Sequence, residues 1–292
     1  MHRATRRSFL TLAGSATGAA LAVGPLTALL VGCGGSAGPQ AADTGWSLVQ
    51  RWPTTSLVPG ALRLPLSLAD DQRLLSEGPA ELVGRVVAQD GTVVADGLRA
   101  ARHGEGLELP YWPFRVELAS PGVYTLLVDG ARADGAALQV LPTDAVTVPA
   151  VGSLLPGFDT PTFDDLRGVD PLCTRVPEPC PLHEVTLTQA LASGTPVAYL
   201  VGTPAHCQTG TCAPALDALL AVRSELGDAV TMVHAEVYTD TTATTVAPAV
   251  RACGLDFEPS LFITDASGRI VERLDAVFDA AEIRAAVARA LS

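Results

Sequence analysis

Two cysteines five positions apart, Cys207 and Cys212, stand in the stretch Pro196–Asp217, PVAYLVGTPAHCQTGTCAPALD. An apolar run, Val197–Val201, ends at Gly202, and a short polar loop then carries both cysteines. After Pro214, Leu216, Leu219, Leu220 and Leu226 fall on one helical face, so the pattern reads as buried strand, loop and helix, with Pro214 in the helix's first turn. Unpaired N–H groups and the positive end of the dipole at a helix N-terminus stabilise a thiolate, the reactive form of cysteine. On one continuous helix, residues five apart point about 140° away from each other. The two sulfurs therefore meet only if the segment is not wholly helical. Gly210 permits a loop, which places Cys207 on it and Cys212 at the helix start. His206 directly precedes Cys207. Protonated, it would favour the thiolate, and neutral, it could take the thiol proton. The competing reading is an exposed loop histidine with no role.

A second group is Cys173-Thr-Arg-Val-Pro-Glu-Pro-Cys180-Pro-Leu-His183. One reading is a Cys173–Cys180 disulfide closing a small loop, as an exported chain favours. The other is a metal site with His183. The six intervening residues do not match the tight spacings of structural zinc sites, and no fourth ligand is apparent, so the disulfide is preferred and no metal is assigned. In a third reading this pair exchanges with Cys207–Cys212. Cys253, just before Gly254, reads as a small buried hydrophobe. His234 reads as a core histidine and His103, in a Gly-rich loop, as a solvated one.

The elements that must position the first pair follow it. Ala229–Val237 reads as a second buried strand, Thr242–Ala252 as a helix stopped by Gly254, and Pro259–Asp265 as a strand. A turn at Ala266–Gly268 leads to a strand, Arg269–Leu274, and Asp279 caps a last helix with Ile283, Val287 and Leu291 on one face. This order, β-α-β-α-β-β-α, and the strand–cysteine loop–helix unit resemble the thioredoxin-like superfamily, over residues 173–292. The resemblance implies an α/β thioredoxin-like domain in which Cys207 attacks a protein disulfide and Cys212 resolves the mixed disulfide. It implies a Cys207–Cys212 disulfide in the oxidised state and a cis-proline at Pro259, beside the site, whose neighbouring backbone pairs with a bound peptide. No cofactor is implied. Thioredoxins carry Cys-x-x-Cys, whereas four residues separate the cysteines here.

Two other function classes compete. Thr203-Pro204-x-x-Cys207-x-x-x-x-Cys212 looks like the atypical two-cysteine peroxiredoxins, but Pro204 stands where their threonine lies and Pro259 where their arginine lies. A non-catalytic envelope adaptor, or a copper chaperone of Sco type, is the third class. The Sco pattern needs a closer cysteine pair and a later loop histidine, whereas the only histidine after Cys212 is His234.

Upstream, residues 1–32 read as a signal peptide. Thr5-Arg6-Arg7-Ser8-Phe9-Leu10 resembles the twin-arginine export signal, and Leu30-Val31-Gly32-Cys33 resembles the bacterial lipobox, which implies lipidation at Cys33. An uncleaved membrane anchor is the alternative. Residues 33–45 read as a tether. Residues 46–141 switch to period-two alternation, as in Leu62, Leu64, Leu66 and Leu68, with turns at Asp90-Gly91 and Ser120-Pro121-Gly122. Short strands without a helix suggest an all-β sandwich of Ig-like size, and Pro121–Leu126 resembles the penultimate strand of bacterial Ig-like modules. Tyr111-Trp112-Pro113-Phe114 reads as core packing, with a partner-binding patch as the alternative. Residues 142–172, rich in Pro, Gly and Asp, read as an interdomain linker. The chain contains no lysine and has a formal charge of −12, so no basic footprint for nucleic acid exists. The expectation is a multidomain, extracytoplasmic protein, lipid-anchored to the outer face of the cytoplasmic membrane and acting on protein thiols and disulfides of the envelope.

Overall fold

The structure, a computed structural model, describes residues 45–71 and 73–292; the twin-arginine segment, Cys33 and the tether up to residue 44 lie outside the described residues. Seven strands come first: β1 (Ser47–Gln50), β2 (Gly60–Ala69), β3 (Glu81–Ala88), β4 (Val93–Ala101), β5 (Trp112–Leu118), β6 (Gly122–Val128) and β7 (Ala136–Val140). They form two antiparallel sheets, ordered β1-β2-β5 and β4-β3-β6-β7. Leu62, Leu64, Leu66 and Leu68 of β2 join Trp112, Phe114, Leu126 and Leu138 in the core between the sheets. At the β3–β4 turn Gly91 adopts φ +84°, which a side chain would oppose, and Asp90 accepts from the Thr92 amide.

The second half comprises α1 (Leu187–Ala192), β8 (Val197–Val201), α2 (Cys212–Leu226), β9 (Thr231–Ala235), α3 (Pro248–Ala252), β10 (Ser260–Thr264), β11 (Ile270–Asp275) and α4 (Ala280–Ala290). One four-stranded sheet runs β11-β10-β8-β9, with β8 parallel to β9 and β10 antiparallel to β8 and β11. All five residues of β8 are buried, because both faces of the sheet are covered. Ala198 and Leu200 pack with Leu216 and Leu219 of α2 and Ile283 and Val287 of α4. Tyr199 and Val201 pack on the other side with Leu187, Val233 and Phe262.

Two elements depart from the sequence reading. The helix expected over Thr242–Ala252 is shortened to Pro248–Ala252. Asp240 caps a turn by accepting from the Thr242 amide, Thr239 N–H bonds to the Thr245 carbonyl, and Pro248 then takes the first helical position. The β-branched run Thr244–Val246 also favours extended backbone over helix. The segment 142–172 is docked on the second half rather than free. Gly152 N–H bonds to the Ile270 carbonyl, Ile270 N–H to Ser153, and Leu155 N–H to Gly268, while Val148 and Leu155 enter the Tyr199–Phe262 core.

The β domain and the second half meet through buried polar groups. Arg63, on the face of β2 opposite its leucines, donates from Nε to Glu282 Oε1 (2.9 Å) and from Nη1 to the Asp275 carbonyl (3.2 Å). Tyr111 Oη donates to Glu282 Oε2 at 2.7 Å. Burial disfavours the guanidinium charge, but Glu282 more than offsets it and holds the Arg63 pKa above its ordinary value. Period-two alternation leads one to expect Arg63 in solvent, yet it is 9 % exposed because this face meets α4 and the end of β11. His103 is likewise no solvated side chain: its Nδ1 lies 3.0 Å from both carboxylate oxygens of Asp279, the N-cap of α4. Trp112 and Phe114 are core residues, and Tyr111 is buried at the junction.

Candidate functional site

Strand β8 delivers the chain at Gly202 to a loop, residues 203–211, which closes on the first turn of α2. The loop is held by His206 N–H to the Thr203 carbonyl, Gly210 N–H to the Cys207 carbonyl, and a positive φ of +69° at Gly210. Cys207 thereby stands half-exposed beside the helix start, and Cys212 is the buried first residue of α2. Both are thiols in the structure, as are Cys173, Cys180 and Cys253.

Three groups converge on Cys207 Sγ. The Cys212 amide donates to it at 3.3 Å, Thr209 Oγ1 lies 3.2 Å away, and the Cys212 thiol faces it. The Cys212 thiol, the Thr209 hydroxyl and the amides of Cys212 and Thr211 together hold the Cys207 pKa down at about 4, against the opposing effect of partial burial. The same contact raises the Cys212 thiol far above its ordinary value, with burial and the Glu258 carboxylate adding to it. The pair is thus split into an exposed nucleophile and a buried reserve.

Glu258 escaped the sequence reading. Its Oε2 accepts from the Thr203 amide at 2.7 Å and from Cys212 Sγ at 3.3 Å. Burial pushes its pKa up to about 7, aided by the charges of Cys207 and Glu236. The one signal for it in the sequence is its place directly before Pro259. The Glu258–Pro259 peptide is cis. Pro259 lies across Gly202 from α2, such that a Cβ added at Gly202 would meet Pro259 Cβ at 3.3 Å and Cys212 Sγ at 3.7 Å. Cys212 and Pro259 therefore flank Gly202, and Cys207 Sγ lies at the Cys212 amide.

His206 does not join them. Its ring lies edge-on to Tyr238, centroids 6.3 Å apart, and its nitrogens hydrogen-bond neither sulfur. Behind the loop, buried Glu236 accepts from the Thr203 hydroxyl, from Thr174 N (2.6 Å) and from Thr174 Oγ1 (3.0 Å). Thr174 Oγ1 in turn accepts from the Ala205 amide at 3.1 Å. Cys173, Cys180 and His183 form a separate buried group, joined there by His234 of β9. His234 is buried, as the sequence suggests, but it faces sulfur rather than apolar core. Cys253 lies in the apolar core, and burial raises its pKa to about 12.

Cys207, Cys212 and Glu258 each offer a ligand atom within 4.8 Å of the others, and among the described residues no histidine joins this group. On the β-domain side, Glu105 and Gly106 share a shallow cleft with Ala213, Pro214 and Asp217 of α2 and Arg284 of α4. The loop at Glu105–Gly106 thus lies against the first turns of α2, the helix that Cys212 begins.

No protein-family model matches the chain, and no curated protein matches it. Among solved structures, a putative thiol:disulfide interchange protein DsbE from Chlorobium tepidum aligns at 13% identity, covering 49% of this chain and 99% of its own, with a TM-score of 0.36. A thioredoxin-family thiol:disulfide interchange protein from Chlorobium tepidum TLS aligns at 16% identity over 50% of this chain and 100% of its own, with a TM-score of 0.35. The Lin-41 filamin domain aligns at 16% identity over 34% of this chain and 94% of its own, at 0.23. Among the described residues, no helix is long and apolar enough to cross a membrane.

Proposed function

We propose that the chain is a thiol–disulfide oxidoreductase of the cell envelope, lipid-anchored at Cys33, that acts on protein disulfides through Cys207 and Cys212. The observation that carries this reading is the split of the pair: a half-exposed Cys207 with its pKa held near 4, beside a buried Cys212 backed by Glu258. A structural cysteine pair needs neither the asymmetry nor the buried carboxylate.

In the reducing direction, the Cys207 thiolate attacks one sulfur of the partner's disulfide. A Cys207–partner S–S bond forms, the partner's own S–S bond breaks, and the departing partner sulfur leaves as a thiolate that takes a proton from water. Cys212 Sγ then gives its proton to Glu258 Oε2 and attacks Cys207 Sγ. The mixed disulfide breaks, the partner leaves with its second thiol, and Cys207–Cys212 carries the oxidised state, two electrons having passed to the partner. Read backwards, the oxidised pair inserts a disulfide into a dithiol partner by the same steps, and the reduction potential selects the direction. Pro259, flanking the sulfurs, supports a backbone contact with the partner. The split between the two thiols favours this reading over a binding adaptor, and Pro259 at the place of the peroxidase arginine disfavours peroxide chemistry.

The test is trapping. Cys212→Ser should accumulate mixed disulfides with envelope proteins, resolved by reductant, and Cys207→Ser should accumulate none. A Cys212→Ser protein that captures no partner, with both wild-type thiols reacting slowly and equally, would leave a binding module instead. Cys33→Ala should move the protein out of the membrane fraction or stop its processing, because its attachment then lacks the acyl chains; unchanged fractionation with an N-terminus at Met1 would point to an uncleaved anchor.

A further inference from the structure

We propose that Cys173, Cys180, His183 and His234 form a four-coordinate structural site for a single Zn²⁺ ion. Sequence spacing supplies only three of these ligands; the fourth comes from β9, 51 positions beyond His183. All four side chains are buried, and their ligand atoms lie within 4.8 Å of one another.

The distances match a tetrahedron around an ion. Zinc–sulfur bonds near 2.3 Å and zinc–nitrogen bonds of 2.0–2.1 Å put tetrahedral N–N edges at about 3.3 Å and S–N edges at about 3.6 Å. His234 Nδ1 lies 3.3 Å from His183 Nε2, 3.5 Å from Cys180 Sγ and 3.7 Å from Cys173 Sγ. The tautomer of His234 is set from outside, since its Nε2 meets the Gly202 carbonyl at 2.9 Å and must donate there. In the neutral ring, Nδ1 therefore presents one lone pair to three neighbours at once. A single lone pair accepts one good hydrogen bond and leaves the other contacts unmatched. A cation at the centre satisfies all four atoms together, and the outward hydrogen bond of His234 is the kind that orients zinc-binding histidines.

A Cys173–Cys180 disulfide accounts for less. It would use the two sulfurs and leave the two imidazole nitrogens facing each other in a dry site. The Cys180 amide also points at Cys173 Sγ, 3.5 Å away, as amides do towards bound thiolates. Two thiolates and two imidazoles in a closed tetrahedral set select zinc over hard cations, and four protein ligands leave no position for substrate. Binding releases the two thiol protons.

The ion would clamp the segment 173–183 to the sheet. Thr174, next to the first ligand, holds both Glu236 and the Ala205 amide of the reactive loop. Metal occupancy thus fixes the floor on which Cys207 sits, although the site stands independently of the oxidoreductase chemistry.

Metal content and cobalt substitution test the site on the full-length protein. The protein purified without added chelator should hold one equivalent of zinc, and reduced, metal-free protein titrated with Co²⁺ should show tetrahedral d–d bands with a thiolate-to-cobalt charge-transfer band. Cys173→Ser and His234→Gln should each weaken uptake by more than the roughly 10–100-fold that loss of a ligand's outer hydrogen-bond partner costs. Cys212→Ser should bind as wild type does. His234→Cys should keep the stoichiometry with stronger charge transfer, which separates ligand loss from misfolding. A Cys173–Cys180 disulfide in the isolated protein, together with reduced protein that takes up no Co²⁺, overturns the proposal. So does uptake that survives Cys173→Ser and fails in Cys212→Ser.

Discussion

Alkylation of Cys207 should follow a pH profile that no ordinary cysteine shows. Its pKa near 4 comes from the Cys212 thiol, the Thr209 hydroxyl at 3.2 Å and the Cys212 amide at 3.3 Å. A free cysteine ionises near 8.5, so at about pH 5 only ~0.03% of it is thiolate, whereas about 90% of Cys207 would be. The ionised fraction thus favours Cys207 roughly 3000-fold. Stabilising a thiolate also blunts it, and with a Brønsted slope of about 0.45 a fall of about 4.5 pKa units costs roughly 100-fold in intrinsic reactivity. The net expectation is labelling about 30-fold faster than a free thiol at about pH 5, and about 3-fold slower at about pH 7, where the ionisation advantage shrinks to roughly 30-fold. Iodoacetamide labelling with peptide mass spectrometry measures this on wild type and on Thr209→Val, which removes one sulfur contact and should move the inflection upwards. Cys212, buried with its pKa raised, should label only after unfolding. A Cys207 rate that climbs with a midpoint near 8.5, or equal labelling of the two cysteines, would refute the reasoning.

Two further outcomes follow from the same geometry. Glu258, pushed up to about 7, can accept the Cys212 proton only when ionised, so decay of a preformed mixed disulfide should quicken as pH rises through about 7. Glu258→Gln should slow that decay by about 10²–10⁴-fold and abolish the inflection, while leaving Cys207 labelling at acidic pH intact; stopped-flow decay of a fluorescent mixed disulfide reads both. At the junction of the two halves, Arg63→Met removes the main partner of the buried Glu282 carboxylate, leaving it Tyr111 and a longer contact to Arg115 at 3.5 Å, and should lower stability towards the roughly 3–5 kcal/mol of a broken buried pair, whereas Arg63→Met with Glu282→Leu should cost less. Calorimetry on the single and double variants would contradict this if the double were the less stable.

The strand–loop–helix unit was legible because its signals are local: an apolar run, a glycine, two cysteines and a leucine face within one short stretch. The strands after it were legible for the same reason. What escaped depends on pairing across the chain. Glu258 looks like an ordinary surface acid in sequence, and Glu236 falls inside a strand read as buried with nothing local to say what its carboxylate meets; Thr203 and Thr174 fold back onto them. His234 was read correctly as buried, but its neighbours at positions 173 and 180 come from a segment whose path the local pattern does not specify. Arg63 carries a similar lesson. Alternation sets its face apart from the leucines, and nothing in β2 itself announces that α4 will cover it. The expected linker likewise became part of the sheet region through backbone bonds to Gly268 and Ile270, which no side-chain pattern encodes. The helix at Thr242 failed for a local reason, the Asp240 turn and the late Pro248.

The junction of Arg63, Tyr111 and Glu282 bears on any partner that touches both halves of the chain. Two domains joined by a flexible hinge lose orientational freedom whenever a client touches both. Here that freedom is already removed by a desolvated ion pair and by the docked segment after β7. Glu105 and Gly106 therefore stand in a fixed place beside the first turns of α2, the helix that Cys212 begins. If the chain acts on protein disulfides as proposed, a client that fits both halves as they stand would bind at no cost in rearrangement, whereas one that does not fit would first have to break the buried pair. The β domain would then act as a calliper, sorting clients by the relief of their surface before any sulfur is exchanged.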